Sequence, residues 1–152
     1  MTLETILLAV GPGDLDRTDA LADAAIEVAG PADATVVLAH VVSPSEFDEV
    51  RSRLATGALD EETITPDDVA TRHEAVEALS TALDGAGLSH EVSGVVGDRG
   101  RALISLASEI EADRVIVGGR RRTPTGKVVF GSTAQRVLLS APCPVTFVRS
   151  GV

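Results

Sequence analysis

The stretch Arg114-Val115-Ile116-Val117-Gly118-Gly119-Arg120-Arg121-Arg122-Thr123-Pro124-Thr125-Gly126-Lys127-Val128-Val129-Phe130-Gly131-Ser132 decides the fold class. It opens on a near-continuous apolar run, the signature of a strand buried on both faces. A glycine- and arginine-rich loop follows, and Ser132-Thr133-Ala134-Gln135 then fits a capping box that starts a helix. Strand, loop and helix in that order are the building unit of parallel sheets.

The same unit recurs along the chain. Further β-rich runs lie at Thr5–Val10, Thr35–Val42, His90–Val96 and Val145–Arg149. The first three are also near-continuous in apolar residues, whereas Val145–Arg149 alternates and suits a sheet edge. Between them run segments of helical period. Leu21, Ala24, Ala25 and Val28 share one face; Val69, Val76, Leu79 and Leu83 line a second helix. Leu103, Leu106, Ala107 and Ile110 mark a third, and Ala134, Val137 and Leu138 a fourth. Thr65-Pro66-Asp67-Asp68 carries a cap, a proline at the first helical position and acids at the positive end of the dipole. Gly30-Pro31 and the Gly85/Gly87 pair read as helix stops. Strands and helices thus alternate throughout, which predicts one α/β domain over residues 1–152: a five-stranded parallel sheet with helices on both faces. Ser43–Ile64 breaks the rhythm and predicts a loop with a short helix around Phe47–Leu54.

Charge narrows the function classes. The net charge is −10, with twelve Arg and a single Lys, Lys127. Such an acidic, Lys-poor, Ala-rich chain reads as the salt-adapted surface of a halophile protein, the alternative being an ordinary acidic protein with a drifted Arg/Lys ratio. All 23 acids precede Arg114, and the last 39 residues hold seven bases and no acid. The summed field opposes binding of a nucleic-acid polyanion, while a local basic loop suits a small anion. No apolar stretch has the roughly 18 residues of a membrane helix, and Met1-Thr2-Leu3-Glu4 lacks the basic start of a secretory signal. The expectation is a cytoplasmic protein that binds neither membrane nor nucleic acid.

Two readings of the Gly118–Ser132 segment stand side by side. In one, glycines let the backbone approach a ligand. The helix start then offers N–H groups to an anion, and Arg120, Arg121, Arg122 and Lys127 supply charge-assisted donors for phosphate. In the other, Gly118-Gly119 serves tight packing, Ser132 is only a cap and the arginines are a solvated loop.

A resemblance bears on the choice. The layout β-α-β-α-β-α-β-loop-α-β, with strand Arg114–Gly118 ahead of Gly131-Ser132 and the strand Pro144-Val145-Thr146-Phe147-Val148, resembles the universal stress protein family from Leu3 to Arg149. The likeness includes Ile6–Val10, His40-Val41 and Gly97-Asp98. ATP-binding members carry G-x2-G-x9-G-[S/T] after the fourth strand; Gly118, Gly131 and Ser132 keep three of those positions. Arg121 stands at the second glycine, and Gly11 stands where those members end the first strand with an acid that helps hold the nucleoside. Arg121 either reaches a phosphate with its fork of donors or fills the cleft.

The resemblance implies a Rossmann-like sheet of order 3-2-1-4-5 and a ligand at the switch between strands 1 and 4. It also implies ATP or a related adenine nucleotide near Val41 and Val117, with Mg²⁺ and with phosphates toward Gly118, Arg121, Arg122, Gly131, Ser132 and Thr133; Arg120 and Lys127 are further phosphate contacts. The family's antiparallel pairing of the last strand implies a homodimer through Val145, Phe147 and Val148. The expected function is a nucleotide-binding stress-response regulator with an unknown protein partner, and no enzyme. Its rival is a dimeric scaffold of the same fold in which Arg121 and Gly11 replace the ligand-binding residues. An enzyme of the related α-hydrolase group fits less well, because the acid at Gly11 and that group's signature loop are missing.

Other candidates read as structural. His40, His73 and His90 fall on different elements without metal-ligand spacing. Asp98 reads as a helix cap, Asp113 as structural, and Cys143 as a small filler between two prolines.

Overall fold

Residues 3–55, 60–119 and 131–149 are described by the computed structural model; Arg120, Arg121, Arg122 and Lys127 lie outside them. In chain order the elements are β1 (Thr5–Ala9), α1 (Thr18–Ala32), β2 (Thr35–Val42), α2 (Pro44–Leu54), α3 (Pro66–Thr71), α4 (Glu74–Gly85), β3 (His90–Val96), α5 (Arg99–Glu109), β4 (Arg114–Gly119), α6 (Ser132–Ser140) and β5 (Val145–Arg149). Short 3-10 turns occupy Pro12–Arg17 and Glu61–Thr63. The strands form one parallel sheet, as their apolar pattern predicts, in the order β3-β2-β1-β4-β5 that the resemblance implies.

The sheet is buried from both sides because its central strands are apolar along nearly all of their length while side chains alternate between faces. Ile6, Leu8, Val36, Leu38 and Ile116 pack against Leu21, Ala25 and Ala29 of α1 and Val76, Leu79 and Leu83 of α4. Leu7, Ala9, Val37, Ala39, Val115 and Val117 face the other way, against Leu103, Leu106 and Ala107 of α5 and Ala134 and Val137 of α6. A smaller cluster of Val42, Ile64 and Val69 lies with Phe47, Val50 and Leu54 of α2.

Several local expectations need correction, each for a capping reason. Val69, Val76, Leu79 and Leu83 are all buried, but on two helices. The chain breaks at Arg72-His73, where the His73 ring caps α4 by accepting from the Ala75 N–H at 3.2 Å. α2 starts at Pro44 rather than Phe47, because Ser43 and Glu46 form a reciprocal capping box. Gly30-Pro31 does not stop α1, since Pro31 sits in its last turn and Asp33, left-handed at φ 53°, ends it. Its buried stripe is Leu21, Ala22, Ala25 and Ala29, leaving Ala24 and Val28 on the flank. The Ser132–Gln135 box does not form: Gly131 is the cap and Ser132 the first helical residue. Ile110 and Leu138 are only partly covered.

β3 is half-buried along its length rather than enclosed, because it is an edge strand. α3 lies along that edge. Asp67 Oδ1 accepts from the Gly94 N–H at 2.6 Å, and a side chain at Gly94 would collide with the Pro66 carbonyl. Gly94→Ala should therefore cost about 2–3 kcal/mol, as overpacking against backbone does. A urea or thermal unfolding midpoint unchanged by the substitution would show that α3 does not seal this edge.

Candidate functional site

The carboxyl ends of β1 and β4 diverge where the chain order reverses, and loops leave them on opposite sides. A crevice of about 330 Å³ opens there. Its apolar wall is Ala39, Val41, Val117 and Leu103, and its polar end holds Gly118, Gly131, Ser132 and Thr133. The six described residues expected from sequence (Val41, Val117, Gly118, Gly131, Ser132 and Thr133) are thus brought together in one cavity. Arg120, Arg121, Arg122 and Lys127 fall outside the described residues.

The glycines in this crevice separate by physical cause. A Cβ at Gly118 would stand 2.9 Å from both Arg17 Cδ and Asp14 Oδ1, and one at Gly119 would overlap the Phe147 ring. Both are glycine because neighbours press on the backbone. Gly131 differs: no described atom lies within 4 Å of where its Cβ would be. It caps α6 without a side-chain acceptor, so the first-turn N–H groups of the helix are presented to the cavity by backbone alone.

Sequence reasoning missed Asp14 and Arg17. Both belong to the turn Pro12–Arg17 and line the crevice. Asp14 Oδ2 accepts from the Gly11 N–H at 2.7 Å, and Oδ1 pairs with Arg17 Nε at 2.8 Å. Arg17 in turn donates to the carbonyls of Gly13 and Gly119, tying the end of β1 to the end of β4. Burial pushes the Asp14 carboxyl above its ordinary value, against the opposing pull of the Gly11 N–H and the Arg17 guanidinium. An acid therefore stands in the crevice although Gly11 ends the strand. The only signal was an Asp three residues past Gly11 with an Arg three further on.

Arg99, at the start of α5, also lines the cavity and pairs with Glu46 at 3.0 Å. Asp98 caps α5 by accepting from the Arg101 N–H, and Asp113 accepts from the Glu4 and Thr5 N–H groups; both roles match the sequence reading. Cys143 is partly covered, and burial, more than the nearby Asp113, raises its thiol above the ordinary value.

Residues 2–149 match the family described as the universal stress protein family. The chain belongs to that family. A universal stress protein of Mycolicibacterium smegmatis is 35% identical over 75 residues, which cover 49% of this chain and 58% of that protein. The matched stretch spans just over half the length of the curated relatives, 58% in one and 56% in another. Two solved family structures show the same fold. A universal stress protein in complex with cAMP is 22% identical, with TM-score 0.64 over 99% of this chain and 100% of that one. The Archaeoglobus fulgidus universal stress protein in complex with dAMP is 19% identical, with TM-score 0.62 over 97% and 99%.

Two histidines meet elsewhere, His40 of β2 and His73 just ahead of α4. His40 is 4% exposed, and its Nδ1 donates to the Val10 carbonyl at 2.9 Å. That bond places the proton on Nδ1, whereas His73 keeps Nδ1 bare to accept from Ala75. The ring centroids are 4.3 Å apart. Burial, first of all, holds both below the ordinary histidine value of 6.5. Their contribution to stability is complete above that value and is lost as pH falls through the depressed folded-state values, because the unfolded chain takes up the protons first. The slope of unfolding free energy against pH below 6.5 should be shallower in His40→Gln than in the native chain. An identical slope would mean that His40 does not titrate with unfolding.

Proposed function

We propose that this chain is an adenine-nucleotide-binding member of its family, ATP being the favoured ligand, that acts as a regulatory dimer rather than an enzyme. The observation carrying the reading is Gly131: a cap glycine that no neighbour among the described residues requires, at a helix start facing a crevice with an apolar wall. Val41 and Val117 would flank the base and sugar. Gly118, Ser132 and Thr133 would take the phosphates, with Arg120, Arg121, Arg122 and Lys127 neutralising them and Mg²⁺ accompanying the nucleotide. The relatives solved with cAMP and dAMP support this choice of ligand class. No general base in a catalytic pairing stands among the described residues, and on this reading binding would bias contacts with a protein partner.

Dimerisation would use β5. The β3 edge is covered by α3, whereas β5 pairs only with β4 among the described strands and carries half-buried Val145, Phe147 and Val148. The acidic, Lys-poor sequence would suit a salt-rich cytoplasm. One observation favours the scaffold reading instead: the Asp14–Arg17 pair already packs on Gly118 at the polar end of the crevice.

Two measurements decide between them. Protein purified in high salt without added nucleotide and then denatured should release stoichiometric adenine nucleotide, identified by mass spectrometry. Gly131→Val should lose at least tenfold in Mg-ATP affinity by calorimetry, the scale of a misplaced charged hydrogen bond, without losing the dimer. An empty extract and no Mg-ATP binding would leave the scaffold. Light scattering in high salt should return twice the chain mass, and a monomer would remove the β5 assignment.

A further inference from the structure

A second hollow of about 330 Å³ adjoins the nucleotide crevice. It shares Ser132, Thr133 and Arg99 with the crevice and adds Glu46, Asp98 and Arg136. The starts of α2, α5 and α6 converge on it. Two of these starts are already satisfied, α2 by the Ser43–Glu46 box and α5 by the Asp98 carboxylate. The third, α6, begins on Gly131 with no side-chain acceptor. Any anion in the hollow would therefore settle toward α6.

The two arginines stand beside that position. Arg99 pairs with Glu46 at 3.0 Å and Arg136 with Asp98 at 3.0 Å. Both acids are helix caps, so each holds its arginine aimed while its own place is fixed by backbone N–H groups. Arg136 has a seat made for it. Its aliphatic stem lies flat on Gly100, where an added Cβ would come within 2.6 Å of Arg136 Cδ and 3.2 Å of its Cβ. One bond to Asp98 accounts for a single donor of a guanidinium that has five. Its side chain keeps 48% of its exposure, open to an incoming group.

Resting on the nucleotide reading above, we propose that this hollow receives the outer phosphates of a nucleoside di- or triphosphate, and that Arg136 discriminates polyphosphates from monophosphates. The crevice behind it takes the base, the sugar and the first phosphate, which every adenine nucleotide shares. Arg99 borders both cavities, and only a longer phosphate chain reaches past Ser132 and Thr133 to Arg136. Arg136 acts as a specificity residue for one end of the ligand and has no part in holding the other.

Calorimetry with AMP, ADP and ATP at fixed Mg²⁺ tests this. The native chain should bind ATP about tenfold or more tightly than AMP, the scale of one charge-assisted contact. Arg136→Gln should erase most of that ratio while its AMP affinity stays within about twofold. Arg136→Lys, which keeps the charge but not the fork, should retain part of it and carries the test if the glutamine variant melts early. Equal affinity of the native chain for AMP and ATP, or an undiminished ratio in Arg136→Gln, would overturn the proposal and leave the nucleotide crevice standing. A native chain that binds none of the three would remove the crevice assignment and this proposal together.

Discussion

The pairing of β1 with β4 fixes almost everything else. Ile6 stands opposite Arg114, Leu7 opposite Val115 and Leu8 opposite Ile116, although more than a hundred residues separate them. Because β1 also pairs with β2 on its other side, it has no free edge, and both its faces are buried. A polar side chain on either face would be stranded without solvent or partner. The parallel register brings the loops after β1 and β4 out at the same end of the sheet. One leads to α1 and the other to α6, which pack on opposite faces. The crevice is what remains between the two departures. It is a consequence of topology before any particular ligand is considered.

Within that crevice, glycine has two unrelated causes. Gly118 and Gly119 are pressed by Arg17, Asp14 and Phe147, so their lack of a side chain is needed by the fold whether or not a ligand binds. The packing reading of these two residues is thus correct for them, yet it does not extend to Gly131, around which the described protein leaves open space. Arg17 links the two issues. By bonding to Gly119 and Gly13 it holds the mouth of the crevice at one width, and by pairing with Asp14 it keeps a buried carboxylate in place. The pair costs desolvation but spans the two strand ends that the site depends on.

The strands were legible because their signal is local. Ile6–Val10 is apolar at every position and Val36–Val42 at all but His40, and only a doubly covered sheet accepts that pattern. The helices were legible as faces but not as boundaries. His73 interrupts what reads as one amphipathic stripe, and histidine is not a residue that announces a cap. Ser43 and Glu46 do announce one, but within a polar segment whose other features resemble a loop. Asp14 was invisible for a deeper reason. Nothing in Gly-Asp-Leu-Asp-Arg distinguishes the buried acid from Asp16 beside it, and only the approach of β4 makes one of them part of a site. The Arg99–Glu46 pair likewise joins residues 53 apart, a distance at which pattern carries no information.

The placement of charge gives these geometric facts their functional weight. A chain with net charge −10 repels anions at long range, so a phosphate held by it must be held at short range. In concentrated salt that repulsion fades within a few ångströms, and so does the help from a solvated arginine. Contacts that survive both conditions are those made by fixed dipoles and by guanidinium groups already positioned. The start of α6 is of the first kind. Arg99 and Arg136, each held by a capping acid, are of the second. All seven bases after Asp113 lie in the segment that contains β4, α6 and β5, while the acids belong to the rest. Of that basic segment, the described residues bring the start of α6 and Arg136 to the cavities at the end of β4.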